Sequence, residues 1–181
     1  MLMQTSDEDL AGLAQNGDAD AFSLLLTRHY DLIFRLAFRC LGRRDAAEDL
    51  AQDICLALPA KLGGWRGEAK FTTWLHRVVV NAAHDRRRRA ATRTKAADGW
   101  GDWEVARREA NDEAAEAVGW LQQAMAGLSD DLRDTLALIM DEEMTHREAG
   151  EILGVSEGTV SWRMSEVKKH LKAIAAAEGL R

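Results

Sequence analysis

Proline and cysteine are scarce in this sequence, and their scarcity narrows the range of folds. One proline and two cysteines occur in 181 residues. Because proline interrupts helices and the chain is rich in alanine, leucine, glutamate and arginine, helix is the favoured element. Cys40 and Cys55 lack C-x-x-C spacing, which argues against a zinc site or a disulfide and predicts packed thiols in a reducing compartment. A role for either thiol in sensing oxidation stays open beside that packing role.

Long apolar runs are also missing. Nowhere do eighteen apolar residues follow one another, and the N-terminal stretch TSDEDLAGLAQNGD is neither basic nor apolar. These two absences argue against a membrane span and against a signal peptide. We therefore expect a cytoplasmic protein that does not insert into membranes.

Net positive charge, a common mark of nucleic-acid-binding proteins, is absent from the chain as a whole, whose formal net charge is −6. The distribution of charge is nevertheless uneven. Residues 81–95 contain six basic residues and one acid, whereas residues 98–116 contain seven acids and two basic residues. A basic block followed directly by an acidic one suggests a bound polyanion and a segment that avoids or imitates it.

Apolar residues recur at helical spacing in the first half of the chain and predict four helices. Their approximate limits are residues 6–17, 20–41, 45–58 and 72–89. Ser6 is the expected N-cap of the first helix, and Pro59 is expected to end the third. The stretch KLGGWRGEAK, residues 61–70, holds three glycines and predicts a loop with Trp65 and Arg66 at its tip.

The helix near residues 72–89 has two distinct faces. Its apolar face predicts the buried side and comprises Leu75, Val78, Val79 and Ala82. A second face of this fourth helix (α4, near residues 72–89), which we call the α4 stripe, comprises Trp74, Arg77, Asn81, His84 and Arg88. An indole, an amide, an imidazole and two guanidiniums in a row suit stacking on bases and pairing with phosphates. The alternative for the arginine run at residues 86–89 is a solvated helix end, where cations suit the helix dipole.

The last third predicts helices near residues 118–126, 132–141 and 146–153, and a final helix that begins after Ser156. Ser129, Thr145 and Ser156 are the expected N-caps of the last three. Two helices joined by a short turn with a glycine, the second helix basic toward its end, predict a helix-turn-helix. The final helix has one apolar stripe, formed by Val160, Met164, Val167 and Leu171. Trp162 lies about 200° round the helix from Val160, on the side predicted to be exposed.

These elements predict an all-α protein made of two small helical domains joined by a flexible linker. We expect the first domain at residues 1–92, the linker at residues 93–117 and the second domain at residues 118–181. From about residue 90 to residue 113 the sequence loses its periodicity and gains charge, glycine and alanine, which is typical of a linker. Transient helix is expected near residues 104–117.

Catalytic motifs find little support. Asp130 and Asp131 open a helix, where carboxylates suit the helix dipole. His146 and Glu148 lack the spacing of a zinc protease, and LGGWRG lacks the lysine and the strand of a phosphate-binding loop. We therefore expect no enzymatic activity, no cofactor and no metal.

Several motifs occur in an order that is far more specific than any one of them. They are SDEDLAGLAQNGDADAF, AEDLAQDI, the loop and helix W-x-G-E-A-K-F-x-T-W-L-x-R-V-V-x-N, an arginine run, and a helix-turn-helix with G-V-S-E-G-T-V. In this order they resemble the extracytoplasmic-function (ECF, group IV) sigma factors of bacterial RNA polymerase, in the sigma-70 family. The resemblance covers nearly the whole chain apart from the linker, and it implies the two domains called sigma region 2 and sigma region 4.

The resemblance implies an alternative sigma factor that binds core RNA polymerase and directs transcription initiation at promoters with minus-ten and minus-thirty-five elements. The third helix matches the segment that docks on the clamp helices of the largest polymerase subunit, and region 4 is expected on the flap. The implied docking residues are Glu48, Asp49, Leu50, Gln52 and Asp53. From the residues alone this segment could also be an ordinary polar helix face.

The loop and the fourth helix match the part that recognises and melts the minus-ten element by holding an unstacked base. The residues implied for this role are Lys61, Trp65, Arg66, Lys70, Trp74, Arg77, Asn81, His84, Arg86, Arg87 and Arg88. The final helix is expected to enter the major groove of the minus-thirty-five element. The residues implied there are Arg147, Ser156, Glu157, Thr159, Ser161, Trp162, Arg163, Ser165, Glu166, Lys168 and Lys169.

The expected partners are core RNA polymerase, promoter DNA and an anti-sigma factor that wedges between the two domains, and the free protein is expected to be a monomer. A second hypothesis is a helix-turn-helix transcriptional regulator that acts without docking on polymerase. It would explain the last third of the chain but leaves the α4 stripe and the docking helix without a role. A regulator of that kind should bind duplex DNA alone, whereas sigma factors of this type generally need core polymerase first.

Two residues of the final helix depart from the family pattern. Trp162 stands where members commonly have a small hydroxyl residue, and Glu166 stands where they commonly have arginine. Trp162 could press on a thymine methyl group or a sugar edge, and Glu166 could accept a hydrogen bond from cytosine N4. Both could instead face a regulator, and groove binding would then be weaker than usual.

We predict that these departures specify an unusual minus-thirty-five sequence. Glu166→Arg should therefore change promoter preference, because it exchanges an acceptor for a bidentate donor that favours guanine. Selection of promoter fragments by the variant and by the parent in the presence of core polymerase measures this. An unchanged preference would contradict the prediction.

Overall fold

The structure is a computed structural model that describes residues 4–96, 124–125, 127–141 and 144–177, with side chains described as far as residue 92 in the first stretch. The helices are α1 Asp7–Gln15, α2 Ala19–Leu41, α3 Arg44–Leu62, α4 Phe71–Ala96, α5 Asp130–Ile139, α6 His146–Leu153 and α7 Glu157–Ala177. Within the described ranges every long regular element is a helix, so the predicted all-α class is confirmed. Residues 97–123, which include the expected transient helix and most of the linker, lie outside the described residues.

Local capping chemistry sets most of the helix boundaries. The Ser6 hydroxyl accepts a hydrogen bond from the Asp9 amide at 3.1 Å, and the Ser156 hydroxyl accepts one from the Thr159 amide at 3.1 Å. Thr145 and Glu148 form a reciprocal capping box, which satisfies two amides that the first turn of α6 leaves free. These three predicted N-caps are confirmed. Ser129 also stands at the start of α5, although its side chain makes no capping hydrogen bond.

Two predicted boundaries are wrong. Pro59 does not end α3, which continues to Leu62. The proline removes one backbone hydrogen bond, but Leu58 and Leu62 are both buried, and their packing outweighs that loss. Likewise α4 runs past its expected end near residue 89, to Ala96, because arginine, alanine and lysine there sustain a helix.

Phe71 is the centre of the core formed by α1 to α4. Its side chain is fully buried at the start of α4, and its ring contacts three other aromatic rings. The ring centroids lie 5.3 Å from His29, 6.1 Å from Trp65 and 5.7 Å from Trp74. The Phe71 amide also donates to the Glu8 carboxylate of α1 at 3.2 Å. One residue therefore fixes the position of the α4 stripe relative to α1 and α2.

The predicted helix-turn-helix is formed by α6 and α7. Val160 and Val167 are buried, and Met164 and Leu171 are half-buried, as the apolar stripe predicts. Gly154 ends α6 at φ 69°, a left-handed conformation that suits glycine. Gly150 lies so close to the turn that a β-carbon there would be 2.7 Å from the Val155 carbonyl oxygen. The α6–α7 turn therefore depends on the absence of a side chain at residue 150.

The two groups of helices pack against each other, α5 on α2 and α6 on α4. The fully buried Ala137 and Leu138 of α5 belong to the same apolar cluster as Ile33 and Cys40 of α2. In the part of the chain described here, no helix is long and apolar enough to cross a membrane.

We predict that Gly150→Ala lowers the free energy of unfolding by about 2 kcal/mol, because the backbone of the turn must move to admit the new methyl group. Gly158→Ala is the matched control, since a β-carbon there meets only the Ser156 hydroxyl at 3.8 Å. That variant should be neutral or slightly stabilising, because alanine is the better helix former. Urea unfolding followed by circular dichroism compares the two, and equal stability of both variants would contradict the packing described.

Candidate nucleic-acid and partner interface

The α4 stripe forms an exposed face, as predicted. Arg77, Asn81, His84 and Arg88 are exposed, while Trp74 is half-buried with its ring against Phe71. Phe71 therefore holds the Trp74 ring in place, whereas the four polar side chains of the stripe lie outside the core of α1 to α4. Arg77 reaches out of that group and donates to the Glu151 backbone carbonyl of α6.

The loop between α3 and α4 presents cations rather than its indole. Arg66 and Lys70 of this loop are exposed, and so is Lys61 in the last turn of α3. Trp65 is half-buried, its ring packs edge-on against Phe71, and its Nε1 donates to the Ala69 carbonyl at 3.2 Å. The prediction that Trp65 stands at the loop tip is therefore wrong, because burying an indole against the core outweighs leaving it in water.

The arginine run divides among three environments. Arg86 turns toward α3 and lies 3.2 Å from Asp49 and 3.3 Å from Asp53. Arg87 turns inward toward α5, and Arg88 stays exposed with Asp85 at 3.3 Å. Three consecutive helical side chains point about 100° apart, so they meet different neighbours. The run is therefore not one uniform basic patch.

The Arg87 guanidinium makes four hydrogen bonds. It donates to both carboxylate oxygens of Asp134, at 2.7 and 2.8 Å, to Asp130 at 2.8 Å and to the Cys40 carbonyl at 3.1 Å. Burial acts to lower the pKa of Arg87, but the charge and hydrogen bonds of Asp134 outweigh it and raise the pKa. Burial raises the pKa of the Asp134 carboxyl, and the charge and hydrogen bonds of Arg87 act against that rise.

The α3 face predicted to dock on a partner is acidic and largely exposed. Asp49, Gln52 and Asp53 are exposed, and Glu48 is half-buried with Arg44 at 2.9 Å. Leu50 departs from the prediction, because its side chain is only 4 % exposed and lies in the core. It supports the helix from inside and does not belong to the surface.

Leu56 is a surface residue that the sequence analysis missed. Its side chain is 82 % exposed, more than any other large apolar side chain of the described residues. It follows Asp49, Gln52 and Asp53 at intervals of seven, four and three residues, so it lies on the same face of α3. This spacing could have identified Leu56 from the sequence, because a leucine on a polar helix face has no apolar partner within its own fold.

The recognition helix α7 presents Trp162 to solvent with 62 % of its surface exposed. Ser161, Ser165, Lys168 and Lys169 are exposed on α7 as well. The Ser161 hydroxyl lies 2.9 Å from His146 Nδ1 of α6, and Glu166 pairs with Lys169 at 2.6 Å. An exposed indole between hydroxyl groups and an ion pair forms a surface with both apolar and polar contacts to offer.

Arg163 does not belong to that exposed surface. Its side chain is turned toward α5, where it pairs with Asp131 at 2.9 Å and donates to the Thr135 hydroxyl at 3.4 Å. The helical spacing places it beside the buried Val160 and Val167, which explains this orientation. Arg147, Ser156 and Glu157 remain exposed, and Thr159 is half-buried beside the Ser156 cap.

Neither cysteine forms part of a metal-binding group. Cys40 is fully buried, and burial raises the pKa of its thiol to about 12. Cys55 is half-buried, and burial raises the pKa of its thiol too. Among the residues whose placement is described, no three His, Cys, Asp or Glu side chains are grouped closely enough to hold a metal ion.

Comparison with known proteins matches both helical groups to defined families. The model for Sigma-70 region 2 matches residues 25–93, and the model for Sigma-70, region 4 matches residues 124–173. The ECF RNA polymerase sigma factor SigM of Mycobacterium tuberculosis is 34% identical over 169 residues, which are 93% of this chain and 84% of SigM.

Two solved structures share the fold. CnrH in complex with the cytosolic domain of CnrY has a TM-score of 0.69 and 25% identity, over 94% of this chain and 97% of CnrH. The sigma factor RpoE of Bartonella quintana, in complex with the anti-sigma factor NepR, has a TM-score of 0.71 and 23% identity. The match covers 86% of this chain and 96% of that one.

Proposed function

Since the chain belongs to the ECF sigma factors of RNA polymerase, we propose that its α3 face docks on the core enzyme while α4 and α7 bind the promoter. The family regulates transcription initiation. The observation that carries the proposal is the α4 stripe, in which an aromatic ring, an amide, an imidazole and two guanidiniums share one face. Such a row suits stacking on bases and pairing with phosphates.

The docking surface on polymerase is formed by Asp49, Gln52, Asp53 and Leu56 of α3. Its acids favour a basic partner, and Leu56 supplies an apolar contact at its C-terminal end. Arg86 lies between the two aspartates and orients them without neutralising the whole face. We assign Arg86 to this surface rather than to the minus-ten contacts.

Binding of the minus-ten element falls to the α4 stripe, to Lys61 at the end of α3, and to the loop cations Arg66 and Lys70. Trp74, held by Phe71, offers a ring edge for a flipped base, and Asn81 offers an amide that can donate and accept. Arg77, His84 and Arg88 are placed to meet phosphates along the same line. Trp65 packs against Phe71 and so supports the loop from its buried side.

Binding of the minus-thirty-five element falls to α7, as in other helix-turn-helix proteins. Trp162 and Ser161 lie near its N-terminal end, where base edges are reached first. Arg163 is left out because its side chain is held by α5. Glu166 is paired with Lys169, so that pair would have to rearrange before Glu166 could accept from a base.

Three further properties follow from family membership as proposals. The chain has an anti-sigma factor partner, an inference supported by the RpoE–NepR complex of similar fold. The protein acts without catalytic chemistry of its own. It works in the cytoplasm, where RNA polymerase is found. The alternative of a regulator that never engages polymerase is disfavoured, because the region 2 match spans α3 and α4.

The test of the proposed function is transcription by purified protein added to bacterial core RNA polymerase on a library of promoter fragments. We predict specific transcript starts that fall at least tenfold in the Asn81→Ala, Arg88→Ala double variant, since each lost contact to a base or phosphate weakens binding by about 1 kcal/mol or more. Asp31→Ala, an exposed change on α2, is the control and should leave the starts intact. No starts with the parent, together with tight DNA binding in the absence of polymerase, would overturn the proposal.

The docking surface yields a separate prediction. Leu56→Ala should weaken binding to core polymerase about tenfold or more, because a fully buried leucine contributes about 2 kcal/mol. It should not destabilise the free protein, since the side chain packs on nothing there. Leu13→Ala, which changes a partly exposed leucine of α1, is the control and should alter affinity less than twofold. Equal affinities of the Leu56 variant and the parent, measured by fluorescence anisotropy, would remove Leu56 from the surface.

A further inference from the structure

In the polar contacts between the two helical groups, one group supplies the donors and the other supplies the acceptors. The donor and cationic side chains belong to α2 and α4, and the acceptors belong to the segment that begins with α5. Arg39 donates to the Ala137 carbonyl at 3.4 Å, His76 lies 3.5 Å from Asp141, and Arg77 donates to the Glu151 carbonyl. The Arg87 contacts with Asp130 and Asp134 follow the same rule. The second group thus offers the first a row of oxygen acceptors.

The Arg87–Asp134 pair is the buried centre of this interface. Only 10 % of the Arg87 side chain and 7 % of the Asp134 side chain are exposed. Every nitrogen of the guanidinium has an acceptor, so the cost of removing both charges from water is offset by a complete set of hydrogen bonds. Removing either partner would leave the other charge buried and unpaired in the packed arrangement.

Two of the donors in this row, Arg77 and Arg87, also belong to the residues predicted to contact the minus-ten element. Carboxylate oxygens at 2.7 to 2.8 Å from a guanidinium present the same acceptor chemistry as a phosphate group. The acids and carbonyls of α5 and α6 therefore stand where DNA phosphates would bind. The packed arrangement and DNA compete for the same cations.

The packed arrangement also cannot span a promoter. A compact chain of this length has a radius of gyration of about 16 Å and is about 40 Å across. The minus-ten and minus-thirty-five elements are by their positions about 25 base pairs apart, which at about 3.4 Å per base pair is about 85 Å along B-form DNA. Simultaneous binding of both elements, on which the proposed function rests, therefore requires the two helical groups to separate.

We propose that the Arg87–Asp134 ion pair is an intramolecular latch that holds the free protein in a closed form unable to engage a promoter. In the closed form α5 and α6 occupy Arg87 and Arg77 in the manner of a polyanion. When polymerase holds the two groups apart, Asp134 enters water and Arg87 becomes available to a phosphate. The latch accounts for the burial of an arginine within a basic run whose other members face solvent or the acids of α3.

Cys40 provides a direct reporter of the closed form. Its carbonyl accepts from Arg87, its side chain is fully buried, and burial raises the pKa of its thiol to about 12. Thiol reagents attack the thiolate of an accessible cysteine, so Cys40 should react slowly while the latch is closed. Cys55→Ser leaves Cys40 as the single thiol of the chain.

The test measures the alkylation rate of Cys40 and the radius of gyration by X-ray scattering, in free protein that carries Cys55→Ser. Asp134→Asn removes one charge of the latch and should raise the alkylation rate at least tenfold and enlarge the radius of gyration. Asp131→Asn is the matched control on α5, because Asp131 is 71 % exposed and pairs with Arg163 inside its own helical group. It should change the rate less than twofold.

A double-variant comparison separates opening from local unfolding. Arg87→Gln removes the other charge of the pair and should raise the alkylation rate of Cys40 by the same factor. The Arg87→Gln, Asp134→Asn double variant should react no faster than either single variant. Independent, multiplying effects of the two changes would overturn the latch. So would a rate for Asp134→Asn within twofold of the parent, or an already expanded parent with a rapidly reacting Cys40.

Transcription with core polymerase keeps this outcome distinct from that of the proposed function. Asp134 lies outside both DNA surfaces and the docking surface, so Asp134→Asn should retain polymerase-dependent transcript starts. Faster alkylation without any starts from the parent would leave the latch standing and overturn the sigma-factor assignment of surfaces. Transcript starts from the parent, without opening of the Asp134→Asn variant, would support the sigma-factor assignment of surfaces and overturn the latch.

Discussion

The buried contact between Arg87 and Asp134 is the interaction on which the arrangement of this molecule depends. One apolar cluster runs through both helical groups, because the core of α1 to α4 continues into Ala137, Leu138, Ala149, Ile152 and Val160. Beside this shared cluster lies a row of hydrogen bonds that includes the buried Arg87–Asp134 ion pair. An ion pair of this kind is specific in its geometry and sensitive to the loss of one partner. It therefore suits a contact that has one defined geometry and can be exchanged when another anion, such as a DNA phosphate, competes for Arg87.

The same contact bears on how a protein of net charge −6 would bind the promoter proposed as its partner. Basic residues are concentrated toward the end of α4, and one of them, Arg87, faces Asp130 and Asp134 of α5. In the packed arrangement these acids neutralise Arg87 within the molecule. Under the proposed latch, separation of the two groups would uncover Arg87 when polymerase and DNA bind. The average charge of the chain conceals this division, whereas the distribution of charge along the sequence indicates it.

Much of the fold could be predicted because it is determined by neighbours along the chain. The caps at Ser6, Thr145 and Ser156, the exposed α4 stripe and the exposed Trp162 all follow from spacing and local hydrogen bonding. The errors arose where distant residues decide. The helix α3 continues through Pro59 because Leu58 and Leu62 are packed in the core, and the Trp65 ring packs against Phe71. Arg86, Arg87 and Arg163 each find partners more than thirty residues away, which no local pattern specifies. Leu56 is the opposite case, since its exposure follows from spacing that the sequence analysis overlooked.

The latch and the proposed function together imply that the protein exchanges an internal contact for contacts with polymerase and promoter. The most direct measurement is the distance between labels at Asp31→Cys on α2 and Lys172→Cys on α7, in a chain that also carries Cys40→Ala and Cys55→Ser. Both labelled positions are exposed and lie away from the proposed surfaces. Pulsed electron spin resonance of the free protein should give one short distance, and addition of core polymerase with promoter DNA should replace it by a separation of about 60 Å or more, set by the spacing of the two elements. The same distance in both states, or a long distance in the free protein, would contradict the account.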